Sequence, residues 1–196
     1  MFARQSRLVL AVAAALLVAG CAQPSPVQRL PELSFAHLQA YRLDVGQLEI
    51  ANQYTATGQP PHVEHLMPVS PAQAAQRWAQ DRLQPIGREG TARFVIEQAS
   101  VTEEILPTDR GVTGLFKREQ EARYDANLRV SLQILDNRRM PVAEITAQAS
   151  RSRTVPQGLT LNERDKIWYE MVENLTSDLN ARLEVLMGQY MARWIQ

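Results

Sequence analysis

The sequence predicts an α+β fold: a mostly antiparallel four-stranded sheet with two helices packed on one face, in the order β-α-β-β-β-α. Three observations point there. Residues 123–134 alternate without a break: Tyr124, Ala126, Leu128, Val130, Leu132 and Ile134 against Arg123, Asp125, Asn127, Arg129, Ser131 and Gln133. That is the period of a strand buried on one side, and six such pairs fix its register. Two other segments carry apolar residues at helical spacing, each behind a capping box, Ser70-x-x-Gln73 and Thr160-x-x-Glu163. A one-sided sheet with helices on its apolar face is the arrangement that buries all of these stripes.

Taken in order, Tyr41-Arg42-Leu43-Asp44-Val45 alternates as a half-buried strand does. The phase then slips, since Leu48 and Ile50 are apolar while Gln47 and Glu49 are not, and Gly46 at the slip predicts a β-bulge. Residues 55–69 read as loop, broken by Gly58, Pro60, Pro61 and Pro68. The first helix starts at Ser70 with Pro71 in its first turn and buries Ala74, Ala75, Trp78, Ala79 and Leu83. Pro85 and Gly87 stop it. Arg93 to Val101 is strand by propensity, and residues 107–120, with Pro107, Gly111 and Gly114, are loop. After the long alternating strand, Asp136-Asn137-Arg138-Arg139 makes a hairpin-like turn. The partner strand runs from Val142 to Thr154. Its inward residues Ala143, Ile145, Ala147 and Ala149 are mostly small, which leaves room for a helix. That second helix carries Trp168, Met171, Val172, Leu175, Leu179, Leu183 and Leu186 over about 26 residues and ends or kinks near Gly188. A tail with Tyr190, Met191, Trp194 and Ile195 follows.

The chain has 196 residues, 21 basic and 21 acidic side chains and one cysteine. The length suits one domain, the balanced charge gives no sign of a nucleic-acid binder, and a lone cysteine excludes an internal disulfide and a cysteine-cluster metal site. The N-terminus breaks this ordinary pattern. Arg4 and Arg7 precede an unbroken apolar run from Leu8 to Gly20, too short to span a ~30 Å hydrocarbon core. This predicts an export signal over residues 1–20. Pro24, Pro26 and Pro31 oppose a helix after it, so residues 21–39 read as a tether and residues 40–196 as a single domain.

The run closes on Leu17-Val18-Ala19-Gly20-Cys21, which resembles the lipobox of bacterial lipoproteins. The resemblance implies that Cys21 receives a diacylglyceryl group, becomes the first residue of the mature chain and is then N-acylated, with palmitate-type chains. Ala22 in place of Asp implies sorting to the outer membrane, on its periplasmic side. The C-terminal half, from Arg123-Tyr124-Asp125-Ala126-Asn127-Leu128-Arg129-Val130 through the hairpin, the Thr154-Val155-Pro156 loop and the Leu-rich helix, is similar to the auxiliary lipoproteins of ABC-type lipid-trafficking transporters and to YajG-like lipoproteins. Those families imply a non-catalytic accessory subunit of an envelope machine, in lipid or lipopolysaccharide trafficking.

The residues themselves offer little chemistry. His62-Val63-Glu64-His65 is the one cluster suited to a metal or to acid–base work, but the histidines stand at i and i+3 in a proline-bounded loop rather than at i and i+4 on a helix. Glu103 and Glu104 are strand neighbours and point to opposite faces. There is no G-x-S-x-G elbow and no phosphate-binding loop. Arginines are scattered; Arg138-Arg139 and Arg151 with Arg153 are the local clusters.

The expectation is therefore a membrane-anchored periplasmic lipoprotein that acts by binding a protein partner, with no catalytic residue and no cofactor. The partner surface is either the polar sheet face with Arg123, Asp125, Asn127 and Arg129 or the tail with Tyr190 and Trp194. Two alternatives stand beside it: an envelope hydrolase or metal-dependent enzyme using His62 and His65, and a structural lipoprotein that acts alone.

Overall fold

The computed structural model describes residues 30–107, 120–156 and 158–196. The signal segment, the lipobox and most of the 107–120 loop lie outside the described residues. In chain order the elements are β1 (Tyr41–Leu43), β2 (Gln47–Asn52), a 3-10 turn (Glu64–Leu66), α1 (Pro71–Arg82), β3 (Leu83–Pro85), β4 (Thr91–Ile105), β5 (Gln120–Leu135), β6 (Pro141–Pro156), α2 (Leu161–Tyr190) and a 3-10 turn (Ala192–Trp194). The main sheet has the order β2-β4-β5-β6, and β1 and β3 make a separate two-stranded parallel sheet. β2 runs parallel to β4, while the β4–β5 and β5–β6 pairings are antiparallel. The expected α+β fold is present, with the first strand divided between two sheets.

That division is where the phase slip at Gly46 is resolved. The slip is not a bulge: the chain bends over residues 44–46 and passes from one sheet into the other. Two backbone segments cross at this point. A Cβ on Gly46 would lie 2.8 Å from the Arg88 carbonyl oxygen, and one on Gly87 would lie 2.6 Å from the Val45 nitrogen. The crossing is tied by Gly87 N–H donating to the Val45 carbonyl at 2.9 Å and Gly46 N–H donating to the Glu89 carbonyl at 3.0 Å. Only residues without side chains let the segments approach that closely.

The bulge sits instead in β4, between Ile96 and Gln98. Phe94 and Ile96 before it and Ala99 and Val101 after it are all fully buried. A strict period of two would have turned Gln98 and Ser100 inward, and one extra residue restores the apolar phase. β4 thereby reaches Ile105, beyond the expected end at Val101.

Both helices start on the expected capping boxes, with Ser70 accepting from the Gln73 backbone N–H and Thr160 from that of Glu163. α1 packs on β4 through Trp78 and Phe94, whose ring centroids are 5.6 Å apart. α2 packs on β5 through an edge-to-face contact of Trp168 with Tyr124 at 5.5 Å. It lies mostly along β6, where Ala147 and Ala149 are small enough to admit it. α2 does not stop at Gly188. Met187 and Met191 are both fully buried, and their packing carries the helix on to Tyr190.

Candidate functional site

The described chain begins at Leu30 and is fastened at once. Leu33 and Phe35 are buried in the core. The Asp81 carboxylate on α1 accepts from the Phe35 backbone N–H at 2.7 Å and from the Ser34 hydroxyl at 3.2 Å. Arg77, four residues before Asp81 on the same helix, reaches both Asp81 at 3.3 Å and Glu32 at 3.1 Å. The segment leading from Cys21 therefore joins the domain on its helical layer. Part of what reads as tether, residues 33–38, is structural: Leu33 and Phe35 are core residues although no periodicity marks them.

The polar sheet face carries the residues expected there. Arg123 pairs with Glu104 at 2.7 Å and with Asp125 at 2.9 Å, and Arg129 pairs with Glu97 at 3.0 Å. The Ser152 hydroxyl across the β5–β6 ladder and the Arg123 guanidinium hold the Asp125 carboxyl below its usual value against the opposing effect of burial. Asn127 is half-buried in the same row system. These four residues do share a face, as their alternation required, but their charges are neutralised by neighbours. The centre of the face is small: Val95 and Ser131, opposite each other across β4 and β5, are both buried.

Three of the four clustered arginines are likewise engaged. Arg139, in the left-handed region at φ 61, makes two hydrogen bonds of 3.0 Å to the Glu49 carboxylate. Arg151 and Arg153 reach across to α2, pairing with Asp178 at 2.6 Å and Glu170 at 3.1 Å. Their shared strand face, legible in the sequence, fastens the edge strand to the helix.

The tail is pinned rather than free. The Asp44 N–H donates to the Trp194 carbonyl at 2.8 Å, the Gln196 N–H donates to the Arg42 carbonyl at 2.9 Å, and Ile195 bridges Leu43. Trp194 is half-buried with Arg193 stacked 4.2 Å over its ring, while Tyr190 stays 57% exposed. Tyr190 and Trp194 thus differ in what they present.

His62 and His65 are separated in role by the turn between them. His62 bridges Thr102 of β4, and its Nδ1 lies 3.6 Å from the Glu64 carboxylate. His65 is exposed. Among the described residues no group of three or more His, Cys, Asp or Glu side chains gathers as a metal site would require. The residue of consequence is Glu64 between them, 2% exposed. It accepts from the Tyr54 hydroxyl at 2.5 Å and from the Val101 backbone N–H at 3.0 Å. Burial pushes its carboxyl up, but Tyr54, the two backbone N–H groups and His62 together hold it below its usual value. Tyr54 is raised well above an ordinary phenol, by burial first and by the Glu64 contact second. The loop is thereby stitched to the edge of β4, where Val63 N–H and Glu103 N–H add backbone bonds.

A second node went unseen in the sequence. Arg82, 2% exposed at the end of α1, donates to Asn180 at 2.9 Å and to Glu184 at 3.0 Å on α2, and lies 4.9 Å over the Tyr41 ring. The Trp78 indole N–H donates to the same Asn180 oxygen at 2.8 Å. The only hint was a basic residue at the inner edge of an apolar stripe.

Among the described residues no helix is long and apolar enough to cross a membrane. No protein-family model matches the chain, and no curated protein matches it in sequence. Among solved structures, the crystal structure of the rare lipoprotein B from Shewanella oneidensis is similar over 73% of this chain and 95% of that one, at 10% identity and a TM-score of 0.38, a likeness too slight to carry an inference.

Proposed function

We propose that this chain is a lipid-anchored protein of the bacterial envelope that acts by binding, held at the periplasmic side of the outer membrane through Cys21. The observation that carries the reading is the placement of the sole cysteine directly after Leu17-Val18-Ala19-Gly20 at the end of a short apolar run. A diacylated or triacylated residue there anchors stably, where one chain would not. Two features of the domain agree with it. Residues 33–38, inside the segment that reads as tether, fasten to the helical layer, which suits a domain held from that side. The polar sheet face and the seam between β6 and α2 carry ion pairs between neighbours.

The finer version is an accessory subunit of a lipid- or lipopolysaccharide-trafficking machine, which rests on the resemblance of residues 120–190 and the lipobox alone. The anchor is tested by Cys21→Ser. The expected result is loss of metabolic palmitate labelling and release from the outer-membrane fraction, or an unprocessed precursor. Unchanged labelling and fractionation would refute it. For the accessory role, crosslinking in cells followed by mass spectrometry is expected to give a reproducible envelope partner, and its absence across several crosslinker lengths favours a lipoprotein that acts alone.

A further inference from the structure

At the end of the sheet where β4, β5 and β6 meet the start of α2, a cavity of about 210 Å³ opens, lined by Glu103, Tyr124, Val155, Leu159 and Arg164 among others. Arg164 differs from most arginines of the domain. Arg77, Arg82, Arg93, Arg123, Arg129, Arg139, Arg151 and Arg153 each have a carboxylate partner. The Arg164 guanidinium stacks 4.8 Å over Trp168 and makes no ion pair with a described residue. Its Nε is buried and has no acceptor. Trp168, 1% exposed, also has a buried indole Nε1–H without a completed hydrogen bond, on the side of the Tyr124 hydroxyl. The Trp168 N–H is directed at the Tyr124 hydroxyl, so the donor of the stacked pair that lacks an acceptor is the Arg164 Nε–H, which belongs to a cation. A buried donor left unmet is costly, so it marks a place where an acceptor belongs.

Among the described residues, the one carboxylate lining the cavity is already engaged, since Glu103 accepts from the Tyr124 hydroxyl at 2.6 Å. The remaining walls are apolar: Ile105, Ala122, Val155, Pro156 and Leu159. Ile105, at 68%, and Leu161, at 69%, stand exposed on β4's end and α2's start. The cavity is smaller than the ~300–1,000 Å³ typical of drug-sized ligands.

From these residues we infer that the cavity binds a small amphiphilic anion, with a carboxylate or phosphate oxygen on Arg164 and a short apolar body against Val155, Pro156 and Leu159. Glu103 works against the ligand's charge, and this sets the affinity below what Arg164 alone would give. The site goes beyond the anchoring role and does not depend on it.

The test uses the full chain in nanodiscs, labelled with 5-fluorotryptophan, with hexanoate, hexyl phosphate and neutral hexanol as probes. Three ¹⁹F resonances are expected, and the one lost in Trp168→Phe reports the cavity. Hexanoate and hexyl phosphate should each move that resonance saturably, with hexanol at least about tenfold weaker, as a charge-assisted contact requires. The stronger of the two anions identifies the head group. Arg164→Met should abolish the shift, and Arg164→Lys should weaken it because an ammonium cannot reproduce the fork. Glu103→Gln should tighten both anions several-fold, an effect that no loss of folding could mimic. Hexanol binding as well as the anions, saturable binding that survives in Arg164→Met, or a Trp168 resonance unmoved by all three probes would each overturn the proposal.

Discussion

At the scale of single residues, the carboxylate of Glu64 is 2% exposed and ties its loop to β4. Its folded-state value lies below the ordinary one, because Tyr54, the Val101 and Glu64 N–H groups and His62 outweigh burial. The sign of the linkage follows. The unfolded chain binds the proton more tightly, so the stability that Glu64 contributes is fully present above about pH 4.5 and is lost as pH falls through its lowered folded value. Tyr54→Phe removes the 2.5 Å hydrogen bond and is expected to cost about 1.5–3 kcal/mol at neutral pH, the usual range for a bond to a charged group. It should also flatten the acid limb of the stability curve. Urea unfolding of wild type and variant between pH 3 and 7 checks both, and an acid limb of unchanged slope would show that the loop is held by its backbone bonds alone. None of this was legible beforehand. Glu64 stood out only as the residue between two histidines, and the signal for metal chemistry masked a structural carboxylate.

At the scale of elements, the glycines separate positions that must stay bare from one that need not. Gly87 lies where two backbones cross, with Val45 N at 2.6 Å from its would-be Cβ. Gly87→Ala is expected to destabilise by about 1–3 kcal/mol, as overpacking against rigid backbone does. Gly188 has open space around it and sits inside α2. Gly188→Ala should therefore stabilise by about 0.8–1 kcal/mol, the difference in helix propensity. Denaturant midpoints of the two variants should move in opposite directions, and a shift of the same sign in both would refute the assignment. The elements that could be read from the sequence were those with a local signal. β5 had twelve residues of clean alternation, and both helices had capping boxes whose reciprocal bonds are present. What could not be read depended on distant partners. A phase slip looks the same whether the chain bulges or changes sheets: at Gly46 it changes sheets, and at residue 97, where no glycine marks the place, it bulges. Likewise Gly188 carries a stop signal that Met187 and Met191 override by packing.

At the scale of the whole molecule, the polar tie between α1 and α2 centres on one amide. Asn180 Oδ1 accepts from both Trp78 Nε1 and Arg82, and Arg82 continues to Glu184 and over Tyr41. Asn180→Leu fills the same space and strands both donors, so it should cost about 1–3 kcal/mol for each of them. Thermal unfolding measures the sum, and a near-neutral effect would mean that water replaces the amide. The candidate surfaces show the same dependence on context. Arg123, Asp125, Asn127 and Arg129 were placed on one face correctly by their period, but their ion pairs depend on Glu97 and Glu104 of the next strand, which no local pattern reveals. Arg164 escaped notice for the opposite reason: one arginine among nineteen becomes distinctive only once eight of the described others are seen to have carboxylate partners.

The seating of Leu33 and Phe35 beneath the Asp81 carboxylate also sets how the domain bears a mechanical load. Tension arriving along the chain from residue 30 meets the bonds of Ser34 and Phe35 to α1 before it reaches β1. The pull is met by a short segment wedged into the core and held along a helix, so it enters the helical layer first. The long hairpin of β5 and β6 lies farther along the chain and is spared direct peeling. A pull on the leading end is thus met at α1 before it reaches any strand.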